Sequence, residues 1–571
     1  MKKTFSTVLA RHALIISTAA VGLFGSANAL PASTAATPQL IVVISVDQFS
    51  AAVFNQHRSS YTQGLHQLID QGVVFPEAYQ SHAATETCPG HSTLLTGRHP
   101  SATGIVANNW VDRATEAAMY CVTDPTHPVP GRPNGPRGPS NLRVSTLGEW
   151  LKQANPQSRV FGVSGKDRAA ITMTGHNPDG VFWWDDERGF TTSVPAGSDE
   201  QTRLKPVTAF NKALFNRWSQ QSPSWDIADP RCLANTGMHR YGSLSIDHRV
   251  PPPGGAMASG QPFTLNGSPS MQKWLRASPV LDQTTLDLAT DLIHQFHLGQ
   301  SSAPDLLTIS LSATDYIGHR YGSQGPEMCD QIAHLDQSLG RFMDEISQLK
   351  VPAVLVLTAD HGSVDAAERV TERAFPAIRI EPTTVMASLN FDLRKKLHVD
   401  FDPIIGDGQQ LYLSSKIHPD ALRQRVIHMA VERLRQMPEV VDAFASTQLA
   451  HVQIPQNKRA DELTLAERFA ESFDVTRSGD ISVAFQPGAS FGDPKSVGDA
   501  IAGHGSPWNY DRRVPLVFWR PGQAGFEQPL PVETVDIAPT LAALIGIKTP
   551  IVDGRCLDLD GGAASTCSVT R

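Results

Sequence analysis

The amino-acid sequence predicts an α/β fold with a doubly wound, mostly parallel central sheet flanked by helices, and three observations lead to it. Continuous apolar, β-branched runs recur along the chain, which is typical of parallel strands buried on both faces. Stretches with helical periodicity separate these runs, as crossover connections require. Several runs end at or near an aspartate, and sheets of this kind bind ligands beyond the carboxyl ends of their strands.

The individual elements follow from the same patterns. Apolar runs predict strands over 39–46, 73–75, 159–164, 305–311, 351–357 and 514–519. Helical patterns predict helices over 61–72, 145–154, 281–296, 327–349 and 535–545. The segment 165–169 follows a predicted strand and is expected to be a loop.

Composition divides the chain further. We predict a signal peptide over 1–29, a catalytic core over 30–369, an accessory lobe over 370–500 and a return to the core over 501–571. Residues from about 182 to 279 are rich in Trp, Pro, Gly and Ser and show little periodicity, which favours an insertion. Within the accessory lobe the sequence predicts helices over 419–437 and 463–473 and strands over 440–445 and 481–485.

The first residues have the pattern of a secretory signal peptide. Lys2, Lys3 and Arg11 provide the basic region, residues 13–24 are apolar, and an A-x-A site ends at Ala29. We therefore expect a mature protein that starts at Leu30 and is periplasmic or secreted. No later apolar run is long enough to cross a bilayer, so no membrane span is expected.

Charge and cysteine content narrow the class of protein. The formal net charge is −8, and removal of the basic leader makes it more negative, which argues against a nucleic-acid partner. An even number of cysteines in an exported chain suggests disulfides, with buried free thiols as the alternative. A disulfide between Cys88 and Cys121 would brace the turn described next. A disulfide between Cys556 and Cys567 would close a short tail loop. Cys232 and Cys329 are the other two cysteines.

A short stretch beginning Thr87-Cys-Pro-Gly-His is the first candidate for chemistry. Proline is favoured at the start of a helix, so Thr87 is expected at or beside a helix N-cap. The positive end of a helix dipole there favours an alkoxide and a bound phosphate. An isolated Thr-x-Pro is more often an ordinary cap, and the residues below change that interpretation.

Six further residues have the types and placement of a metal site. Asp47, Asp315 and Asp360 each follow a predicted strand, so their carboxylates should meet at one edge of the sheet. The remaining three are His319, one helical turn after Asp315, His361 next to Asp360, and His504 between glycines. A mixed set of carboxylates and imidazoles suits catalytic zinc, although any one of them alone could be a cap or a packed surface residue.

Together these motifs resemble the alkaline phosphatase superfamily, in order over nearly the whole mature chain. Thr at the nucleophile position is similar to two branches, the nucleotide pyrophosphatase/phosphodiesterases and the PafA-type bacterial alkaline phosphatases. Both place an Asn against a phosphoryl oxygen, as Asn108 would here. The Lys166-Asp-Arg168 sequence resembles the PafA type, in which a Lys and an Arg two residues apart contact the phosphoryl group.

The resemblance implies two zinc ions. One would take Asp315, His319 and His504, and the other Asp47, Asp360, His361 and Thr87. It implies a zinc-dependent alkaline phosphatase that hydrolyses small-molecule phosphate monoesters through a phosphorylated Thr87. The two positive charges of Lys166 and Arg168 match a monoester dianion better than a diester monoanion.

Three alternatives remain at this point. A phosphodiesterase or nucleotide pyrophosphatase is the nearest. A sulfatase is disfavoured because Cys88-Pro-Gly lacks the spacing and the Arg of the formylglycine motif. A metal- or phosphate-binding protein without turnover is the third, and a zinc-dependent hydrolysis lost in Thr87→Ala would exclude it.

Overall fold

The computed structural model describes residues 36–133, 135–250, 269–406, 408–561 and 565–567. The predicted signal peptide, its cleavage site and part of the predicted insertion lie outside these residues. The strands are β1 (Leu40–Val46), β2 (Val73–Tyr79), β3 (Asn109–Val111), β4 (Ala118–Tyr120), β5 (Val160–Ser164), β6 (Gly180–Asp185), β7 (Gly189–Thr191), β8 (Gly237–Tyr241), β9 (Leu244–His248), β10 (Asp305–Leu311), β11 (Ala353–Thr358), β12 (Arg379–Ile380), β13 (Ile404–Ile405), β14 (Gln410–Leu413), β15 (Val440–Ala445), β16 (Ile481–Phe485), β17 (Ser490–Phe491), β18 (Arg513–Trp519), β19 (Phe526–Glu527) and β20 (Val532–Glu533).

The helices that connect them are α1 (Ala51–Gln56), α2 (Gly64–Gln71), α3 (Thr87–Leu94), α4 (Pro100–Thr103), α5 (Leu147–Ala154), α6 (Asp167–Thr174), α7 (Glu200–Gln220), α8 (Pro269–Arg276), α9 (Pro279–Phe296), α10 (Ala313–Tyr321), α11 (Pro326–Gln348), α12 (Ala367–Glu372), α13 (Pro382–Leu397), α14 (Asp420–Leu434), α15 (Ser446–Leu449), α16 (Leu465–Ser472), α17 (Asn509–Arg512) and α18 (Ile537–Leu544).

The central sheet has the strand order β19-β2-β18-β11-β1-β10-β5-β6-β7, with β20 also paired to β2. Strands β11, β1, β10, β5 and β6 run parallel, whereas β18 is antiparallel to both of its neighbours. The predicted α/β class and mostly parallel sheet are therefore confirmed. The predicted strand over 514–519 is present as β18, and it is one of the antiparallel members.

Strand β1 shows why its sequence is apolar throughout. Leu40, Val42, Ile44 and Val46 pack into the core on one face of the sheet, which includes α9 and α11. Ile41 and Val43 pack into the core on the other face, which includes α5 and α18. A strand covered on both faces has no solvent-facing position, so alternation of polar and apolar residues is absent.

Two expectations about local structure were wrong. The segment 165–169 is not all loop, because α6 begins at Asp167, an acid in its first turn, and Arg168 is therefore helical. The region from 182 to 279 is more regular than expected, since it holds the 21-residue helix α7 and the β8–β9 hairpin. Its first residues belong to β6 and β7 of the central sheet.

Residues 404–485 contain a separate antiparallel sheet with the order β13-β14-β16-β15. Helices α13 and α14 pack on it, and a distinct cluster of buried residues, with Leu389, Val426 and Val483 among its members, forms their shared core. The predicted helix over 419–437 and the two predicted strands are present in this part as α14, β15 and β16.

All six cysteines form disulfides, namely Cys88–Cys121, Cys232–Cys329 and Cys556–Cys567. The two pairings expected from the sequence are confirmed, and the third attaches the segment before β8 to α11. Among the residues that the structure describes, none forms a helix with the length and apolar character needed to span a bilayer.

Candidate active site

Three neighbouring strands deliver the predicted carboxylates to one edge of the sheet. Asp47 directly follows β1, Asp360 lies two residues after β11, and Asp315 lies in the first turn of α10 after β10. Because the strand order is β11-β1-β10, the three side chains converge, and all are buried. The backbone N–H of Asp47 donates to the carbonyl of Leu311 at 2.9 Å, which holds the ends of β1 and β10 together.

The three predicted histidines are oriented by the same type of contact. Each ring places its Nδ1 within hydrogen-bond distance of a backbone carbonyl. The carbonyls of Ala502, Gly362 and Thr85 lie 3.0, 3.0 and 2.9 Å from Nδ1 of His319, His361 and His504. A donating Nδ1–H leaves Nε2 as an acceptor, which is the orientation that metal-binding histidines usually have.

The Nε2 atoms face the carboxylates. Those of His319 and His504 both lie 3.3 Å from Oδ1 of Asp315 and 3.2 Å from each other. Nε2 of His361 lies 3.5 Å from Oδ1 of Asp47 and 3.3 Å from Oδ2 of Asp360. Imidazole nitrogens and carboxylate oxygens that face one another in this way can be bridged by a metal ion.

Two sets of ligand atoms are close enough together to hold a metal ion. One comprises Asp315, His319 and His504, and the other Asp47, Asp315 and His361. Several of the buried atoms involved make no hydrogen bond of good geometry with the described residues; they are Oδ1 of Asp47, Oδ1 of Asp315, Oδ2 of Asp360 and Nε2 of His361. Buried polar atoms are rarely unpaired, so the donor set fits bound metal.

Thr87 is the first residue of α3, one position after the N-cap Glu86, as the sequence predicts. Gly90 lets this helix lie directly on the backbone of Asp360, since a Cβ there would come within 2.0 Å of the Asp360 carbonyl oxygen. His91, one turn further, lies between the two elements, with Nδ1 at 2.9 Å from the Thr87 carbonyl and 3.1 Å from the Asp360 carboxylate. The start of α3 is thus fixed against the carboxylate cluster.

Asn108 is held beside this helix with its amide group in a defined orientation. Its Oδ1 accepts from the backbone N–H of Cys88 at 2.8 Å, and its own N–H donates to Glu86 at 2.7 Å. Its carbonyl accepts from the N–H of Cys121, the disulfide partner of Cys88. Because Oδ1 is used by the backbone, the Nδ2 donors of Asn108 are the part of the amide left for a ligand.

Lys166 lies between the two groups of ligand atoms. Its Nζ is 2.5 Å from Oδ2 of Asp47 and 2.6 Å from Oδ2 of Asp315. Burial opposes ionisation of Asp315, but the Lys166 ammonium together with His319 and His504 outweighs it and holds the pKa of Asp315 well below its usual range. For Asp47, burial and the nearby Asp360 raise the pKa. Lys166 is therefore a counter-charge for the carboxylates in this structure.

Arg168 reaches the nucleophile candidate from the first turn of α6. Its Nη2 lies 3.2 Å from Oγ1 of Thr87, and its Nη1 lies 3.5 Å from the hydroxyl of Tyr120. Arg168 belongs to the first turn of α6, whereas the sequence analysis expected a loop there. Every residue predicted for the site thus lies in one connected cluster.

Three supporting residues were not singled out for these roles. Glu86 and Tyr120 hold Asn108 and Arg168, and Gln48 donates its N–H to Oδ1 of Asp360 from a left-handed backbone with φ of 66°. No sequence motif marks them. His91, one turn after Thr87, supports the site through its contacts with the Thr87 carbonyl and the Asp360 carboxylate.

Two cavities adjoin the cluster. A cleft of about 620 Å³ opens beside Asn108 and His504, with Trp110, Gln409 and Phe491 on its walls. A second cavity of about 290 Å³ is lined by Lys166 and Arg168 together with further arginines, Arg132, Arg137 and Arg276. Asp185, Asp167 and Asp186 line the second cavity as well and pair with these three arginines, so the net positive charge of its lining equals that of Lys166 and Arg168.

Comparison with known families defines the class of protein. The model of the type I phosphodiesterase/nucleotide pyrophosphatase family matches residues 41–507, and the chain belongs to that family. The resemblance to the alkaline phosphatase superfamily, and the assignment of the chain as an enzyme of it, are confirmed.

Several individual relatives are bacterial alkaline phosphatases. It is 42% identical to alkaline phosphatase PhoD of Zymomonas mobilis over 93% of this chain and 90% of that protein. It is 39% identical to alkaline phosphatase PhoK of a Sphingomonas species over 94% of each. Among solved structures, alkaline phosphatase PafA matches with a TM-score of 0.77 at 25% identity, over 91% of this chain and 98% of that one.

Proposed function

We propose that this protein is an exported, zinc-dependent phosphatase that hydrolyses small-molecule phosphate monoesters to an alcohol and inorganic phosphate. The observation that carries the proposal is the approach of Arg168 to Thr87, 3.2 Å from Nη2 to Oγ1, beside Lys166 and the carboxylate cluster. A positive charge beside the candidate nucleophile would stabilise a dianionic phosphoryl group bound there. The named relatives are themselves alkaline phosphatases, which supports the same substrate class.

Metal ligands are assigned on the resemblance and on the geometry. Asp315, His319 and His504 would hold one zinc ion, and Asp47, Asp360, His361 and Thr87 the other. Ligand atoms of Asp47, His361 and Asp315 also lie close enough together to hold one ion, so Asp315 is within reach of both positions. Two zinc ions there would supply positive charge to the entering and leaving oxygens of an in-line displacement.

Thr87 is the proposed nucleophile. Its position at the first residue of α3 puts Oγ1 at the positive end of the helix dipole, which favours the alkoxide. Attack of Oγ1 on phosphorus forms a Thr87–phosphate bond and releases the alcohol; water then cleaves that bond and restores the hydroxyl. His91 and Gly90 keep the helix start in place during both steps.

Asn108, Lys166 and Arg168 are the proposed phosphoryl ligands. Arg168 can contact two oxygens with its planar guanidinium, Lys166 contributes a point charge, and Asn108 adds neutral Nδ2 donors. A solved PafA variant has one Thr, one Asn, one Lys and one Arg replaced, and these are the four residue types proposed here.

A phosphodiesterase or nucleotide pyrophosphatase is the second candidate, because the matching family model bears that description. The cleft beside Asn108 and His504 also has space for the extra group of a diester. The two positive charges of Lys166 and Arg168 favour the monoester, since a diester carries less charge on the oxygens that they would contact.

Export is supported by two features. The leader sequence is typical of a secretory signal peptide, and all six cysteines are paired. Chemical sequencing of the protein recovered from a periplasmic extract should begin at Leu30.

The decisive experiment compares an aryl phosphate with its methyl diester on the purified protein. We expect a kcat/KM for the monoester at least about tenfold higher, because each charge-assisted contact contributes on the order of 1.5–3 kcal/mol. Mass spectrometry of acid-quenched enzyme should find phosphate on Thr87. A higher kcat/KM for the diester would select the second candidate.

A further inference from the structure

Tyr120 contacts the guanidinium of Arg168 at a different nitrogen from the one that faces Thr87. An arginine side chain has many rotamers, and fixing it in one of them is costly unless partners hold it. Here Nη1 faces the Tyr120 hydroxyl at 3.5 Å and Nη2 faces Oγ1 of Thr87 at 3.2 Å. The plane of the guanidinium is therefore defined by two hydroxyl groups.

The Tyr120 hydroxyl is itself held tightly. It donates to Oδ1 of Asp167 at 2.6 Å, and Oδ2 of the same carboxylate accepts from Nε of Arg137 at 2.7 Å. The Arg137 guanidinium lies over the Tyr120 ring, 4.7 Å from its centroid. Because the phenol proton is directed to a carboxylate, the lone pairs of the oxygen remain for the Arg168 guanidinium.

The backbone of Tyr120 is tied to the nucleophile helix by a covalent bond. Tyr120 is the last residue of β4, and the next residue, Cys121, is bonded to Cys88. Cys88 in turn directly follows Thr87. The hydroxyl that orients Arg168 and the hydroxyl proposed to attack phosphorus are thus two residues and one disulfide apart.

We propose that Tyr120 is a positioning residue for phosphoryl recognition, which sets the preference for monoesters by holding Arg168 toward Thr87. This inference rests on the proposed function, because it assigns Arg168 to the substrate. Tyr120 does not need to touch the substrate for this role. Its effect on phosphate hydrolysis depends on Arg168, so a double-mutant cycle between the two residues can measure it.

The test is a double-mutant cycle with Tyr120→Phe and Arg168→Ala. Phenylalanine keeps the ring under Arg137 and removes only the hydroxyl. We expect Tyr120→Phe alone to lower kcat/KM for an aryl phosphate about three- to tenfold, the size of one hydrogen bond, and to lower that of the methyl diester much less. In the Arg168→Ala background the same substitution should have no further effect.

Two other variants separate positioning from stability. Tyr61→Phe removes a buried phenol that donates to the carbonyl of Phe54 at 2.8 Å, away from the site. It should lower the melting temperature about as much as Tyr120→Phe and leave the monoester-to-diester ratio unchanged. Asp167→Asn weakens the anchor of the Tyr120 hydroxyl and should reproduce part of the loss of monoester preference.

Four results would overturn the proposal. If the effects of Tyr120→Phe and Arg168→Ala multiply, Tyr120 acts independently of Arg168. If monoester and diester rates fall equally, Tyr120 supports the fold or the nucleophile. A wild-type protein without monoester hydrolysis would remove the proposed function together with this inference, whereas normal monoester activity with an indifferent Tyr120→Phe removes this inference alone.

Discussion

The two halves of the candidate site are held by different parts of the molecule. The carboxylates Asp47, Asp315 and Asp360 follow neighbouring strands at the centre of the sheet and are buried on all sides. Asn108 and Arg168 lie on a connection and at a helix start, and side-chain contacts and one disulfide hold them. The first half is positioned by the core, so damage to it should abolish activity. The second should tune rate and selectivity.

Removal of metal should have the largest effect. If the strand-end cluster holds two zinc ions, dialysis against a chelator should lower activity by about three orders of magnitude or more. Added zinc should restore it, and elemental analysis should find about two ions per chain before treatment. Full activity in a sample shown to be metal-free would contradict the assignment of this half.

The variant Thr87→Ala tests the proposed nucleophile, which lies between the two halves of the site. It should lower monoester turnover by about three orders of magnitude, because the nucleophile is lost, while Thr87→Ser should retain part of the activity. The matched control is Thr96→Ala, which removes a buried hydroxyl bonded to the Ser92 carbonyl just after the same helix. Near wild-type turnover in Thr87→Ala would exclude Thr87 as nucleophile.

The variants Lys166→Ala and Arg168→Ala distinguish contacts with the substrate from contacts with the metal ligands. Each should lower monoester kcat/KM at least about tenfold and affect the diester much less. Lys166 also neutralises Asp47 and Asp315, so its loss should make zinc harder to remove by a chelator, whereas Arg168→Ala should leave zinc retention unchanged. An equal fall in both reactions would mean that the pair acts through folding or metal placement.

The Cys88–Cys121 disulfide should give the smallest change in activity. Replacing both cysteines by serine removes the link between the Thr87 helix and the segment carrying Tyr120. We expect a few-fold to about tenfold loss of turnover from misplacement of the reacting groups. The control is Cys556→Ser with Cys567→Ser. By loop length the first pair contributes about 4 kcal/mol and the tail pair about 3 kcal/mol to the free energy of unfolding, but removal of the tail pair should leave turnover unchanged.

The half that the core positions was the easier to predict. The run at 305–311 coincides with β10, because a strand buried on both faces needs an unbroken apolar sequence. An aspartate or histidine after such a run is conspicuous, so Asp47, Asp360 and His361 could be found without coordinates. Their convergence follows from the parallel order of the strands.

The second half depends on tertiary contacts that leave little trace in sequence. Lys166 and Arg168 were identified through a resemblance, not through a pattern of their own, and the start of α6 at Asp167 was missed. Helix α7 was missed because only Val207, Leu214 and Trp218 are buried along its length and because it contains Pro206, a residue that is rare inside helices. No sequence pattern indicates the role of Tyr120, since its partners Asp167 and Arg137 are distant in sequence.

The pairing of the cysteines has a consequence for how the protein is made. The chain joins its first cysteine to its second, its third to its fourth and its fifth to its sixth. Each cysteine therefore finds its partner as the next one to emerge when the chain is delivered from its N-terminus. An oxidase that joins consecutive thiols would produce the native set directly, without an isomerase to reshuffle wrong pairs. By this logic, production in an oxidising compartment needs a thiol oxidant but no disulfide isomerase.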